Sequence, residues 1–134
     1  TYALLPHIGD FAVETVVQEA YALNIPPAAV KINTVPDVEI SENPREKSLC
    51  EVLPSNVIVE AVKKAENEDA VIIRLYEAGK MRSTVRARFA SPLRRAALCN
   101  LMEEKDQTLT VDDDSVYFEM RPFEIKTLKV TFRS

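Results

Sequence analysis

The 134-residue sequence has little of what most catalytic and metal sites require, since it contains one histidine, two cysteines and no tryptophan. A zinc site needs three or four protein ligands, and His7 with the distant Cys50 and Cys99 does not supply them at a useful spacing. A nucleophile–base pair would also depend entirely on His7. We therefore expect no catalytic residue and no metal ligand in this chain, and a structural hydrogen bond at His7.

Further absences bear on location and partners. No apolar run approaches the roughly 20 residues of a membrane-spanning helix, and a formal net charge of −4 favours neither nucleic acid nor an anionic membrane. No signal peptide is present and the first residue is Thr1, so we expect a cytoplasmic location and a piece of a longer polypeptide. Without a secretory signal, Cys50 and Cys99 are expected to be buried free thiols rather than a disulfide.

One stretch is typical of an amphipathic helix. Its apolar side chains recur at intervals of three and four, at Val13, Val16, Val17, Ala20 and Tyr21. Asp10 is a candidate N-cap, because its carboxylate can accept hydrogen bonds from the free amides of a first turn. Proline cannot donate to the helix ladder, so Pro26 and Pro27 after Asn24 predict its end. The sequence thus predicts a helix over residues 10–24.

Most of the remaining chain shows strand patterns. Apolar and polar side chains alternate over residues 84–89 and 116–121, and the denser runs 57–59 and 71–73 are expected of strands covered on both faces. Several such strands at short spacing predict an all-β fold: an antiparallel β-sandwich with one N-terminal amphipathic helix.

Three connections have features of their own. Gly79 stands between two strand patterns and predicts the positive φ of a hairpin turn. The apolar phase shifts near residues 126–127, which predicts a β-bulge or bend. Residues 33–47 contain two prolines and few large apolar side chains, so an exposed and mobile connection is expected there.

The densest acidic cluster is Asp112, Asp113 and Asp114. Hard cations such as Ca²⁺ take several carboxylate oxygens, but the alternating ligand spacing and the glycine of a calcium loop are absent. A polar hairpin turn between two strands is the favoured interpretation.

Six arginines lie close together in this acidic protein, and Arg86 and Arg88 must share one strand face, with Arg82 placed to join them across a turn. The arginines are a candidate docking face for acidic groups of a larger parent protein or of a second subunit. The pattern fits equally a solvated face with ion pairs to glutamates, such as Glu60 and Glu119. Nucleic acid is disfavoured, because no aromatic stacking platform is interleaved with the basic residues.

Three separated segments stand out by their order and spacing. The first is Ala3-Leu4-Leu5-Pro6-His7 with Gly9, followed by Glu19-Ala20-Tyr21 and Leu23-Asn24; the second is residues 57–66, leading into Arg74-Leu75-Tyr76-Glu77-Ala78; the third is Pro122-Phe123-Glu124-Ile125-Lys126-Thr127-Leu128. Together they resemble the extreme C-terminal β-domain of the α-mannosidases of glycoside hydrolase family 38, of the bacterial or cytosolic kind.

This resemblance implies a parent enzyme that is a multidomain, retaining, exo-acting α-mannosidase. Its aspartate nucleophile and zinc ion belong to an N-terminal catalytic domain, so no catalytic or metal-binding residue is carried over to this chain. The resemblance also implies that residues 1–8 are a strand of a preceding large β-sandwich, and that residues 28–134, after the helix at 10–24, form a small C-terminal β-sandwich.

The implied function is that of a non-catalytic domain in an enzyme that hydrolyses terminal α-mannosides. Its partners would be the rest of the parent enzyme and, through the parent, an α-mannoside substrate. Because an excised strand leaves an open sheet edge, self-association into a homo-oligomer is also expected. A free-standing carbohydrate-binding or protein-interaction module is the alternative, although the chain has no tryptophan and only four tyrosines for a sugar platform. A small independent hydrolase is opposed by the missing nucleophile–base pair.

Overall fold

A computed structural model describes residues 3–30 and 47–133. Its strands are β1 Cys50–Leu53, β2 Val57–Lys64, β3 Val71–Glu77, β4 Ser83–Phe89, β5 Leu93–Cys99, β6 Lys105–Leu109, β7 Val111–Asp112, β8 Ser115–Met120 and β9 Ile125–Phe132. They form a four-stranded sheet in the order β1-β4-β8-β7 and a five-stranded sheet in the order β2-β3-β9-β5-β6, and the strand pairs are antiparallel. The predicted all-β antiparallel sandwich with one N-terminal helix is confirmed.

The core lies between the two sheets, because alternate side chains of each strand face the opposite sheet. Burial along β4 follows this alternation throughout the strand. In β3, Ile73 and Leu75 enter the main core, whereas Ile72 is buried on the other face with Ala65 and Ala70. The dense apolar run 71–73 is therefore covered on both faces, as its composition predicts.

The helix α1 spans Val13–Asn24, close to the predicted range. The predicted N-cap is wrong: Ala12 occupies that position in an extended conformation without a side-chain hydrogen bond, so Asp10 lies two residues too early to reach the first-turn amides. The predicted end is correct, and Asn24 Nδ2 there donates to the Ala20 carbonyl at 2.8 Å. None of the helix residues is fully buried.

Gly79 does not form a hairpin turn, since β3 and β4 belong to different sheets and the connection between them crosses the sandwich. The residue with positive φ is Lys80, at 59°. Gly79 is required by crowding instead: an added Cβ would stand 2.8 Å from Asn56 Cβ and 3.0 Å from Glu77 Oε1. The glycine at this position therefore indicates close packing against neighbouring segments rather than a left-handed backbone conformation.

The predicted bulge at Lys126 and Thr127 is also wrong. Both residues pair with β3 in continuous register, and β9 runs unbroken between β3 and β5. The apolar phase shifts because Ile125 lies on the outer face of the five-stranded sheet and is 66% exposed, whereas Leu128 is fully buried in the core. The shift in apolar phase therefore arises because Ile125 and Leu128 lie on opposite faces of the sheet, without an inserted residue.

The predictions for residues 33–47 and for residues 1–8 can be compared with the structure only in part. Apart from Lys47, the connection at 33–47 lies outside the described residues. Residues 3–8 form no strand in this structure, and their predicted pairing with a preceding sheet stays a prediction. In the described parts of the chain, no helix combines the length and apolar character needed to cross a membrane.

Candidate functional site

The buried carboxylate of Glu77 joins three connections at one end of the sandwich. The residue is 1% exposed. Its Oε1 accepts hydrogen bonds from Asn56 Nδ2 and from the Gly79 amide, both at 2.6 Å, and its Oε2 accepts one from the Phe123 amide at 2.9 Å. Since Asn56 precedes β2, Gly79 follows β3 and Phe123 precedes β9, Glu77 ties together segments that are distant in sequence. We call these four residues the Glu77 cluster.

The Glu77 cluster has the electrostatics of a structural site. Burial raises the pKa of the Glu77 carboxyl, but hydrogen bonds outweigh burial and hold the pKa below its usual value; the donors are Phe123, Asn56, Met81 and Gly79. A general acid in a glycosidase needs a raised pKa and access to the substrate. An enclosed, ionised carboxylate with its oxygens already hydrogen-bonded has neither property.

The acidic cluster at residues 112–114 forms a hairpin turn between β7 and β8, as predicted. Asp114 accepts hydrogen bonds from the Ser115 hydroxyl at 2.6 Å and from Arg88 Nε at 3.0 Å. The Ser115 hydroxyl and then the Arg88 guanidinium hold the pKa of the Asp114 carboxyl below its usual value. Asp113 stands 3.6 Å from Arg133. Asp113 and Asp114 therefore face groups of the protein itself.

Metal ligands do not converge anywhere in residues 3–30 and 47–133, where no group of three or more His, Cys, Asp or Glu side chains could hold an ion. His7 is exposed in the segment before α1. Cys50 in the four-stranded sheet and Cys99 in the five-stranded sheet are both free thiols, half-buried and buried respectively. The described side chains do not fit a zinc ion.

The predicted arginine face lies on the outer surface of the four-stranded sheet. Arg86 and Arg88 alternate with buried residues of β4 and point away from the core, while Arg82 is exposed just before that strand. The strand register places Arg86 between Leu53 of β1 and Tyr117 of β8, which are 45% and 50% exposed. This face therefore combines cations with half-exposed apolar groups.

Ion pairing on this face differs from the expectation. The expected glutamate partners are wrong, because Glu119 accepts a hydrogen bond from Thr84 at 2.6 Å and Glu60 accepts one from Tyr21 beside the other sheet. Arg88 pairs with Asp114 instead. Among the described residues, Arg82 and Arg86 have no ion-pair partner.

Sequence reasoning missed the Glu77 cluster. The signal was a glutamate at the end of a strand of mostly apolar residues, followed two positions later by one of the only two glycines. Its donors, however, come from segments 21 and 46 positions away, so their meeting depends on the fold.

Comparison with known proteins identifies the family. Residues 56–128, more than half of the chain, match the family described as the glycosyl hydrolases family 38 C-terminal beta sandwich domain. The chain is 31% identical over 140 residues to alpha-mannosidase 2C1 of Mus musculus and 33% identical over 133 residues to alpha-mannosidase 2C1 of Homo sapiens. Alpha-mannosidase G of Dictyostelium discoideum is 28% identical over 134 residues.

These alignments cover 96–100% of this chain but only 12–13% of each relative, so the chain spans about an eighth of the length of the curated relatives it matches. The matched region contains β2 to β8 and the start of β9, and thus both sheets of the sandwich. The chain therefore belongs to the family of C-terminal β-sandwich domains of the glycosyl hydrolases family 38, the α-mannosidases.

Proposed function

We propose that this chain is a non-catalytic domain of a cytoplasmic, retaining, metal-dependent α-mannosidase that removes terminal α-mannosides. The observation that carries the proposal is the family match over a sandwich whose most deeply buried carboxylate among the described residues, Glu77, is enclosed by its own chain. The whole enzyme would act in carbohydrate breakdown.

The non-catalytic role is supported by where the carboxylates lie. Glycoside hydrolysis uses two carboxyl groups that face one sugar, or a carboxylate with a metal ion. Here Glu77 is buried at one end of the sandwich, Asp114 is paired with Arg88 in a turn, and Glu103 is paired with Lys63 at 2.6 Å on the five-stranded sheet. The nucleophile and the zinc ion would belong to the remaining part of the enzyme.

The domain would act by docking on that remaining part through the arginine face formed by Arg82, Arg86 and Arg88. The relatives are about eight times longer than this chain, which supplies a large potential partner surface within one polypeptide. The partly exposed Arg86 beside the half-exposed Leu53 and Tyr117 suits a mixed polar and apolar contact. A second copy of the enzyme could use the same face, which would give a homo-oligomer.

Charge reversal in the full-length parent enzyme tests this role. Arg82→Glu combined with Arg86→Glu is preferred, because neither side chain has an ion-pair partner among the described residues and the domain itself should remain folded. We expect a lower melting temperature or a changed mass in solution, with an unchanged KM for an aryl α-mannoside.

Arg94→Glu combined with Arg95→Glu is the matched control, since it changes the charge equally on the five-stranded sheet. Equal effects of the two pairs, or no effect of the first, would show that the arginine face is solvated. A raised KM at an unchanged melting temperature would mean that the domain shapes the active site.

A further inference from the structure

A β-bulge in β5 directs two consecutive arginines to solvent. The register with β9 pairs Leu93 with Phe132 and Arg95 with Thr131, so Arg94 is the extra residue. Leu93 and Ala96 on either side are buried, whereas Arg94 and Arg95 are both exposed. Regular alternation would turn one of the two towards the core, and the bulge removes that conflict.

The two arginines border a groove of about 530 Å³ over β5, β6 and β9. Its floor consists of small side chains that share the outer face of the five-stranded sheet: Ala97 pairs with Thr108 of β6, and Thr131 lies opposite Arg95. Longer charged side chains stand around this floor, at Arg94, Arg95, Lys105, Lys129, Glu68 and Asp69. The alternation of small and long side chains makes the surface concave.

The charge of the groove is positive in a chain whose net charge is −4. Of the two carboxylates in the lining, Glu68 is paired with Lys129 at 2.7 Å and Asp69 stands 3.9 Å from Lys64, outside the groove. Within the described ranges, Arg94, Arg95 and Lys105 have no ion-pair partner, which leaves three uncompensated cations around one cavity.

The polar groups of the lining are suited to oxygen acceptors. Guanidinium groups bind phosphate and carboxylate oxygens through paired N–H donors, and two adjacent arginines can hold two such groups. The Thr131 hydroxyl in the lining is buried without a hydrogen-bond partner among the described residues. Among the described residues, the lining of the groove contains no aromatic side chain that could serve as a stacking surface for a neutral sugar.

We propose that the groove bordered by Arg94, Arg95 and Lys105 binds a small anion with at least two oxyanion groups, either phosphates or carboxylates. Such a site is separate from the arginine face on the other sheet. It requires no contribution from the rest of a parent enzyme, so it can be tested on this chain alone.

The experiment is an NMR titration of the 134-residue chain in about 150 mM salt, where exposed charges beyond roughly 8 Å are screened. Inorganic pyrophosphate and citrate serve as the phosphate and carboxylate probes. We expect saturable shifts confined to amides of β5, β6 and β9 around Arg95, Lys105 and Thr131. Saturation by one probe only identifies the class of anion, and saturation by both shows that the groove takes either.

The variants separate a site from general charge attraction. Arg94→Gln with Arg95→Gln should weaken binding about tenfold or more, because hydrogen bonds to charged groups are lost. Arg82→Gln with Arg86→Gln removes the same charge from the other sheet and should change binding less than about twofold. Lys105→Gln, on the edge strand β6, provides a second test if the double variant does not fold.

Equal weakening by the two arginine pairs, or shifts spread over the whole surface, would overturn the proposal. So would the absence of saturation with both probes.

Discussion

Replacing Glu77 with glutamine changes the shape of the side chain very little, but it should destabilise the fold. In Glu77→Gln an NH2 group replaces one of the two acceptor oxygens. This new donor would face the donors that now bind Glu77, which are the Asn56 side chain and backbone amides, in a buried space. We expect the free energy of unfolding to fall by about 1–3 kcal/mol in denaturant titrations. Glu119→Gln is the control, because Glu119 is exposed, and it should change stability by about 0.5 kcal/mol or less. Equal effects of the two changes would contradict the structural role of Glu77.

The pH dependence of stability should also change in Glu77→Gln. A folded-state pKa below the unfolded value of about 4.3 stabilises the protein above that pH, and this contribution disappears as the pH falls through the folded pKa. The wild-type free energy of unfolding should therefore decrease more steeply than that of Glu77→Gln between about pH 5 and pH 2. Some decrease remains in the variant, because the pKa values of Glu103 and Asp114 are also lowered. Parallel profiles would mean that Glu77 does not titrate differently on folding.

At the scale of single residues, sequence patterns predicted which strand positions are buried but not which polar groups meet. The alternation along β4 placed Arg86 and Arg88 on one face, and the structure shows them there. The extra residue in β5 at Arg94 has no signature in a run where Leu93 is followed by two arginines and two alanines. Hydrogen-bond partners and bulges depend on which distant strands pair with each other, and local sequence patterns do not reveal that pairing.

Strand β9 offers a direct test of how the five-stranded sheet presents its two faces. Leu128→Ala leaves a cavity in the core and should lower the free energy of unfolding by about 2–5 kcal/mol. Ile125→Ala, three positions earlier in the same strand, affects a side chain that is 66% exposed and should cost about 0.5 kcal/mol. Similar costs would support the bulge that the sequence suggested and contradict the register.

Helix α1 is attached more weakly than the strands. It has no fully buried residue, and the Tyr21 hydroxyl donates to Glu60 of β2. That hydrogen bond is the main reason why the pKa of the Tyr21 hydroxyl is raised. In Tyr21→Phe we expect faster hydrogen exchange at the amides of α1, with little change in the unfolding midpoint of the sandwich.

Tyr117→Phe, at a half-exposed tyrosine on the opposite sheet, is the control for Tyr21→Phe. It should leave the exchange of α1 amides unchanged. If Tyr21→Phe also leaves α1 exchange unchanged, packing rather than the hydrogen bond holds the helix.

Element types were predictable because they follow local periodicity. The end of the helix, the hairpin at residues 112–114 and the alternating strands were read from neighbouring residues. The connection at Gly79 was misassigned because a glycine in a turn between strands has the same local pattern in a hairpin and in a crossover between sheets. Only the sheet order distinguishes these two cases.

For the whole molecule, the order of three sequence segments identified the family before any site could be recognised. Two of those segments meet physically in the Glu77 cluster, where Phe123 of the third donates to the last strand residue of the second. That contact gives the resemblance a structural basis within this domain. It assigns no catalytic chemistry to the chain, because the cluster is closed to substrate.

The most direct measurement compares hydrolysis of an aryl α-mannoside by the full-length parent enzyme and by this 134-residue chain, each with and without a chelator. An active parent that loses activity with the chelator, beside an inert but folded chain, is the predicted result. Hydrolysis by the chain alone would contradict the account, because it would place a catalytic site in the domain that we propose to be non-catalytic.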